Sequence, residues 1–99
     1  MPEIKVEISR YIDNSFPGWV ECYFIDAWGI KHEFREKIPV VTSKDLDKDS
    51  IYPQEGVIAC EIVKYWTDTE GRELVTISTY KPWGCETLKG QTSFEVLKE

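Results

Sequence analysis

An all-β domain is predicted from three features of the sequence. Two turns have the form Asp-x-x-Gly, at Asp26-Ala27-Trp28-Gly29 and Asp68-Thr69-Glu70-Gly71. Each is flanked by runs rich in Val, Ile and aromatic residues, and Ile4, Val6 and Ile8 alternate with Lys5, Glu7 and Ser9. An Asp at the first position of a type I turn accepts backbone hydrogen bonds. A Gly at the fourth takes the left-handed conformation that closes the hairpin with a bulge.

The elements follow in order. The alternation from Ile4 has the period of a half-buried strand and predicts strand one over residues 4–12. Asp13-Asn14-Ser15-Phe16-Pro17-Gly18 is turn chemistry. Residues 19–25 and 30–36 form the first hairpin. Ile38-Pro39-Val40-Val41 is extended but carries a proline, which confines it to a sheet edge. Residues 42–56 are irregular, with Ser43 placed to cap one helical turn through Leu46 and Asp47 before Tyr52-Pro53 ends any helix. Residues 57–66 and 72–80 form the second hairpin, Lys81-Pro82-Trp83-Gly84 breaks the chain, and residues 92–97 give a last strand. Six strands with at most one helical turn in so short a chain predict a small antiparallel barrel or rolled sheet, because closure removes unpaired edges.

The turns also predict registers. In the first hairpin Phe24 faces His32, Cys22 faces Phe34 and Val20 faces Glu36, a largely apolar face. The other face pairs Ile25 with Lys31, Tyr23 with Glu33, Glu21 with Arg35 and Trp19 with Lys37, a solvent-facing set with opposite charges across the ladder. In the second hairpin Val63 faces Ile77 and Tyr65 faces Val75, while Ile62 faces Ser78 and Trp66 faces Leu74. The strand over 57–66 is thus apolar on both faces. The stretch 42–56, the tail after Tyr80 or a partner protein must cover its outer side.

With 99 residues, 41% of them hydrophobic and 30% charged, the chain suits one domain over 1–99 with one modest core. The start Met1-Pro2-Glu3-Ile4-Lys5 has no secretory signal pattern, and no stretch approaches the ~18 uncharged residues of a membrane span. A cytoplasmic protein with no membrane partner is expected. Cys22 and Cys60 lie in strand-like segments as buried free thiols, whereas Cys85, in Pro82-Trp83-Gly84-Cys85, sits in a loop segment that leaves its exposure open. No CxxC pair or His cluster points to a metal, and no cofactor motif is present. The net charge of −6 argues against nucleic acid and favours a basic protein partner. The oligomeric state is not readable.

Candidate sites are few. Asp45-Leu46-Asp47-Lys48-Asp49 opens like a calcium-binding loop, but Ser50 stands where the turn glycine belongs and Gly56 where the bidentate glutamate belongs. The segment reads as a solvated acidic loop able to meet a basic partner. His32, the single histidine, carries any general-base chemistry. Its place beside Phe24 makes it a hydrogen-bonded rim side chain, and Cys22 two residues further down the ladder is poorly placed to use it. No catalytic residue is therefore assigned, and the chain is read as a non-enzyme. Trp19, Tyr23 and Trp28, rimmed by Asp45, Asp47 and Asp49, form the expected partner-binding surface, since exposed aromatics serve as interface anchors. The opposing reading makes these aromatics lids on the core.

The segments Trp19-Val20-Glu21-Cys22, Asp26-Ala27-Trp28-Gly29, Glu36-Lys37-Ile38-Pro39-Val40-Val41, Tyr52-Pro53-Gln54-Glu55-Gly56 and Lys81-Pro82-Trp83-Gly84 resemble an uncharacterised family of short, free-standing bacterial single-domain proteins. The resemblance implies a self-contained module and carries no activity. The function expected is a non-catalytic binding module, a small acidic protein-interaction protein, of which neutralisation of a basic partner in the manner of toxin-immunity proteins is one form. The alternative is an aromatic-faced β-barrel for a small ligand or saccharide.

Overall fold

The structure, a computed structural model, describes residues 2–98. It is all-β, with one short helix: β1 (Glu3–Asp13), β2 (Trp19–Ile25), β3 (Lys31–Lys37), α1 (Ile38–Val41), β4 (Gln54–Ala59), β5 (Glu61–Thr67), β6 (Glu73–Ser78) and β7 (Ser93–Leu97). Every strand pairing is antiparallel. Seven strands are present among the described residues rather than the six expected, and they form two sheets rather than one closed barrel. The first has the order β3-β2-β1-β4 and the second β5-β6-β7.

The extra strand and the missing closure share one cause. The apolar run expected as a single strand is divided at Cys60, so that β4 pairs with β1 while β5 pairs with β6. Cys60 is buried and its N–H donates to Pro2 O, which pins the corner where the chain passes from one sheet to the other. Two edges are protected by cover instead of closure. The tail lies along β3, where Leu88 N–H donates to Glu33 O and Thr87 bridges Phe34. The first hairpin's tip lies on β7, where Ala27 N–H donates to Glu95 O at 2.9 Å.

Both Asp-x-x-Gly turns form as expected. Asp26 Oδ1 accepts from the N–H groups of Trp28 and Ile30, and Asp68 Oδ1 from those of Glu70 and Arg72. Gly29 and Gly71 have φ of 79° and 83°. The first hairpin takes the expected register at every pair from Trp19↔Lys37 to Ile25↔Lys31. In the second, Tyr65↔Val75 and Trp66↔Leu74 hold near the turn. A bulge between Ile62 and Lys64 then moves the partners of Ile77 and Ser78 to Ile62 and Glu61. The bulged residue is Val63, and its extra place in the strand shifts all that follows it.

Ile38–Val41 is a single helical turn, not an edge strand. Pro39 sits in its first turn, where a missing N–H costs nothing, and Thr42 N–H donates to Ile38 O. Ile38 and Val41 are buried by it. The turn presses so near β4 that a Cβ on Gly56 would stand 2.8 Å from Val41 O. No helical turn follows Ser43; residues 43–50 form bends and turns anchored by buried Leu46. The core lies between the sheets, where Phe24, Phe34 and Phe94 meet with Ile8, Val20, Ile58 and Ile77.

Candidate functional site

The expected surface residues do not gather at one place. Trp19 is half-buried on the outer face of the first sheet, with Lys37 Nζ 5.8 Å from its ring centre. Tyr23 lies two pairs along the same face, donating its hydroxyl to Glu7 with Lys31 Nζ 4.3 Å above the ring. Glu21 makes its ion pair with Arg10, at 3.2 Å, rather than with Arg35 across the ladder. Trp28 rides on the hairpin tip, a strand's length of roughly 20 Å from Trp19. The acidic segment leaves the sheet at the Trp19 end, after β3 and α1, so Asp45, Asp47 and Asp49 are neighbours of Trp19 in topology and not of Trp28. Within that loop Asp47 Oδ1 accepts from Asp49 N–H, and Tyr52 donates its hydroxyl to Asp47 O. These bonds hold the loop's own turns.

Trp28 is 45% exposed and tied down on its other side. Its indole Nε1–H donates to Glu95 Oε1 at 2.8 Å, and the Arg72 guanidinium lies 5.0 Å from its ring centre. Arg72 also reaches Ala27 O, so the tips of both hairpins meet β7 at one corner. Neither Arg72 nor Glu95 was singled out in the sequence, because the turn motifs are local and carry no sign of this long-range meeting.

His32 is buried, and its Nε2 lies 2.7 Å from Asp26 Oδ2. Its ring sits 4.7 Å from Phe94 and 5.3 Å from Phe24. Burial pushes the Asp26 carboxyl up, but the His32 hydrogen bond, the backbone N–H groups of Ile30 and Trp28 and the His32 charge together hold it below its ordinary value. The imidazole is thus a packed, bonded member of the aromatic core, as expected of a rim side chain.

Cys85, whose exposure its loop segment leaves open, is fully buried. The tail folds inward there: Cys85 N–H donates to Thr79 O, and Thr79 Oγ1 donates to Cys85 O. Burial, with the Glu36 charge and hydrogen bond, pushes its thiol up to about 12. Cys22 is likewise pushed up to about 12, by burial and then by Glu36. Burial in turn raises the Glu36 carboxyl, partly offset by its bond with Cys85 and by Lys37. All three cysteines are free and buried, and such thiols are poor nucleophiles. Among the described residues, no group of three or more His, Cys, Asp and Glu side chains is arranged to hold a metal ion.

A cleft of about 700 Å³ lies between the sheets. Ile4 and Phe24 line it from the first sheet and Ile62, Tyr65, Val75 and Val96 from the second, with Lys5 and Lys98 at its mouth. On its β5 side Ile62 is 40% and Tyr65 59% exposed. The apolar strand flagged in the sequence thus keeps exposed side chains, although the tail reaches both: Lys81 and Pro82 line a second cleft with Ile62, and Lys98 Nζ lies 5.6 Å from the Tyr65 ring centre.

No family model matches the chain, and no curated protein or solved structure is significantly similar to it. Among the described residues no helix is long and apolar enough to cross a membrane.

Proposed function

We propose that the chain is a non-catalytic binding module that engages a basic protein partner. The observation that carries this reading is the open cleft between the sheets, with the exposed apolar side chains of β5 beside it. Contiguous apolar surface left open on a small domain marks an interaction site. The net charge of −6 steers a basic partner toward it and disfavours phosphate-rich ones. The commitments of His32 to Asp26 and of the thiols to the interior support binding over catalysis. Three free thiols suit a reducing compartment, which supports the cytoplasm. Neutralisation of a basic toxin is one form this activity takes.

The cleft's volume also lies within the usual ~300–1,000 Å³ of small-molecule sites, which favours a small apolar ligand as the second reading. Affinity capture on the immobilised chain, followed by rebinding of the purified captured protein at increasing salt, separates the two. The expected result is a basic protein whose association slows as salt rises. Failure of any captured protein to rebind, together with saturable binding of a small apolar molecule or glycan, would overturn the first reading.

A further inference from the structure

The two central strands of the first sheet part company. β1 pairs with β2 from Asp13↔Trp19 only as far as Glu7↔Tyr23. Beyond that point β1 runs on to Glu3 paired with β4 alone, and β2 runs on to Ile25 paired with β3 alone. The result is a fork, and the apolar cleft fills it.

Antiparallel pairing fixes where the backbone groups of each prong point, since successive residues direct their N–H and C=O to opposite sides. Asp26 N–H donates to Ile30 O, so on β2 the even-numbered residues face β3 and Ile25 faces the fork. Cys60 N–H donates to Pro2 O, so on β1 the even-numbered residues face β4, and Glu3 and Lys5 face the fork. No strand pairs with these three residues on the fork side. They stand beside an apolar floor of Val75, Ile77 and Val96 supplied by the second sheet. An unpaired strand edge beside side-chain pockets is the arrangement that accepts an added strand.

We propose that the fork is the docking site for an extended segment of the basic partner, which pairs its backbone with Glu3 and Lys5 of β1. This rests on the binding-module reading and names its site. Alternate side chains of the segment drop onto the floor, and those between them point outward beside Glu3 and Glu7. Glu3 and Glu7 line the cleft with Lys5 and Lys98, Asp26 being taken up by His32, so it is the net charge of −6 over the whole chain that favours basic outward-facing residues. The segment that fits alternates apolar with basic residues.

The test uses the synthetic peptide Lys-Val-Lys-Val-Lys-Val-Lys as probe. Its controls are the block peptide Lys-Lys-Lys-Lys-Val-Val-Val, which has equal charge and composition, and the glutamate-for-lysine counterpart. Amide NMR shifts and hydrogen exchange are followed at Glu3, Lys5 and Ile25. The expected result is saturable protection at these amides by the alternating peptide, with both controls binding at least about ten-fold more weakly. Lys5→Pro removes a fork-facing N–H that makes no ladder bond, so it should fold and lose binding by a similar factor. Should that variant fail to fold, Ile62→Glu at the cleft lip decides, with the same loss expected. Peptide binding mapped to Trp19 or the acidic loop would overturn the fork and leave the binding-module reading standing. Binding of the alternating and block peptides with equal affinity would also overturn the fork. Absence of peptide binding together with dodecanoate filling the cleft would overturn both.

Discussion

Asp26 and Asp68 occupy the same position in the same turn, yet their second carboxylate oxygens have different tasks. Asp68 Oδ2 meets Arg72 Nε at 2.8 Å near the surface, whereas Asp26 Oδ2 meets His32 inside the core. The Asp26 carboxyl is held below its ordinary 3.8, so it stabilises the fold above that pH. The contribution is lost as pH falls through the lower folded value, because the folded state must then take up a proton it resists. Asp26→Asn is expected to cost about 1–3 kcal/mol near neutrality, through loss of charged hydrogen bonds in a buried site. Thermal melts from neutral pH down to ~2 should show the wild-type advantage shrinking below pH ~4, in the range where carboxylates titrate. Parallel curves for the two proteins would mean the pair contributes nothing. The thiols give a second expectation at this scale: with Cys22 and Cys85 pushed up to about 12 and all three cysteines buried, a disulfide-exchange reagent near pH 8 should label none of them until denaturant unfolds the chain. Rapid native labelling of Cys85 would mean that its loop leaves the thiol exposed.

Among elements, the hairpins were the most legible because their signal is local and stereochemical. A Cβ at Gly29 or Gly71 would touch nothing within 4 Å, so any cost of substitution there lies in the left-handed backbone. Gly29→Val and Gly71→Val should each lose ~1 kcal/mol or more, read as a lowered denaturant midpoint with unchanged slope. Equal midpoints would contradict the turn type. The helical turn α1 was not legible, because four residues give no periodicity and Pro39 reads equally as a strand-edge residue. The bulge at Val63 was hidden for a related reason. β5 is apolar on both faces, so no alternation registers a one-residue slip. The division at Cys60 leaves no local mark either, since Gln54–Thr67 is one continuous strand-like run whose two halves differ only in which sheet they join. Of the expected binding residues, the sequence placed Trp19 and Tyr23 on their outer face correctly through register alone. Whether the acidic loop lies beside them or beside Trp28 depends on how the chain leaves β3, and α1 decides that.

At the scale of the whole molecule, two small sheets are joined by one continuous chain at Cys60 and fastened to each other a second time by the hairpin tips. There Trp28, Arg72 and Glu95 meet at one corner. Its closure keeps β2 near β7 while β1 diverges toward β4, so the same contacts that fasten the sheets define one wall of the cleft. Trp28→Ala removes a hydrogen bond to a carboxylate and a cation–π contact, each partly exposed, and should cost about 1–2 kcal/mol. A double-mutant cycle of Trp28→Phe with Glu95→Ala isolates the hydrogen bond, and the expected coupling is about 1 kcal/mol. If the corner acts as a clasp, Trp28→Ala should also speed hydrogen exchange at Ala27 N–H, whose acceptor is Glu95 O, more than at the central amides of β6. A uniform rise in exchange across both sheets would mean that Trp28 supports the core as a lid. No change at Ala27, with stability preserved, would mean that the indole is free of the fold and available as an anchor for a partner.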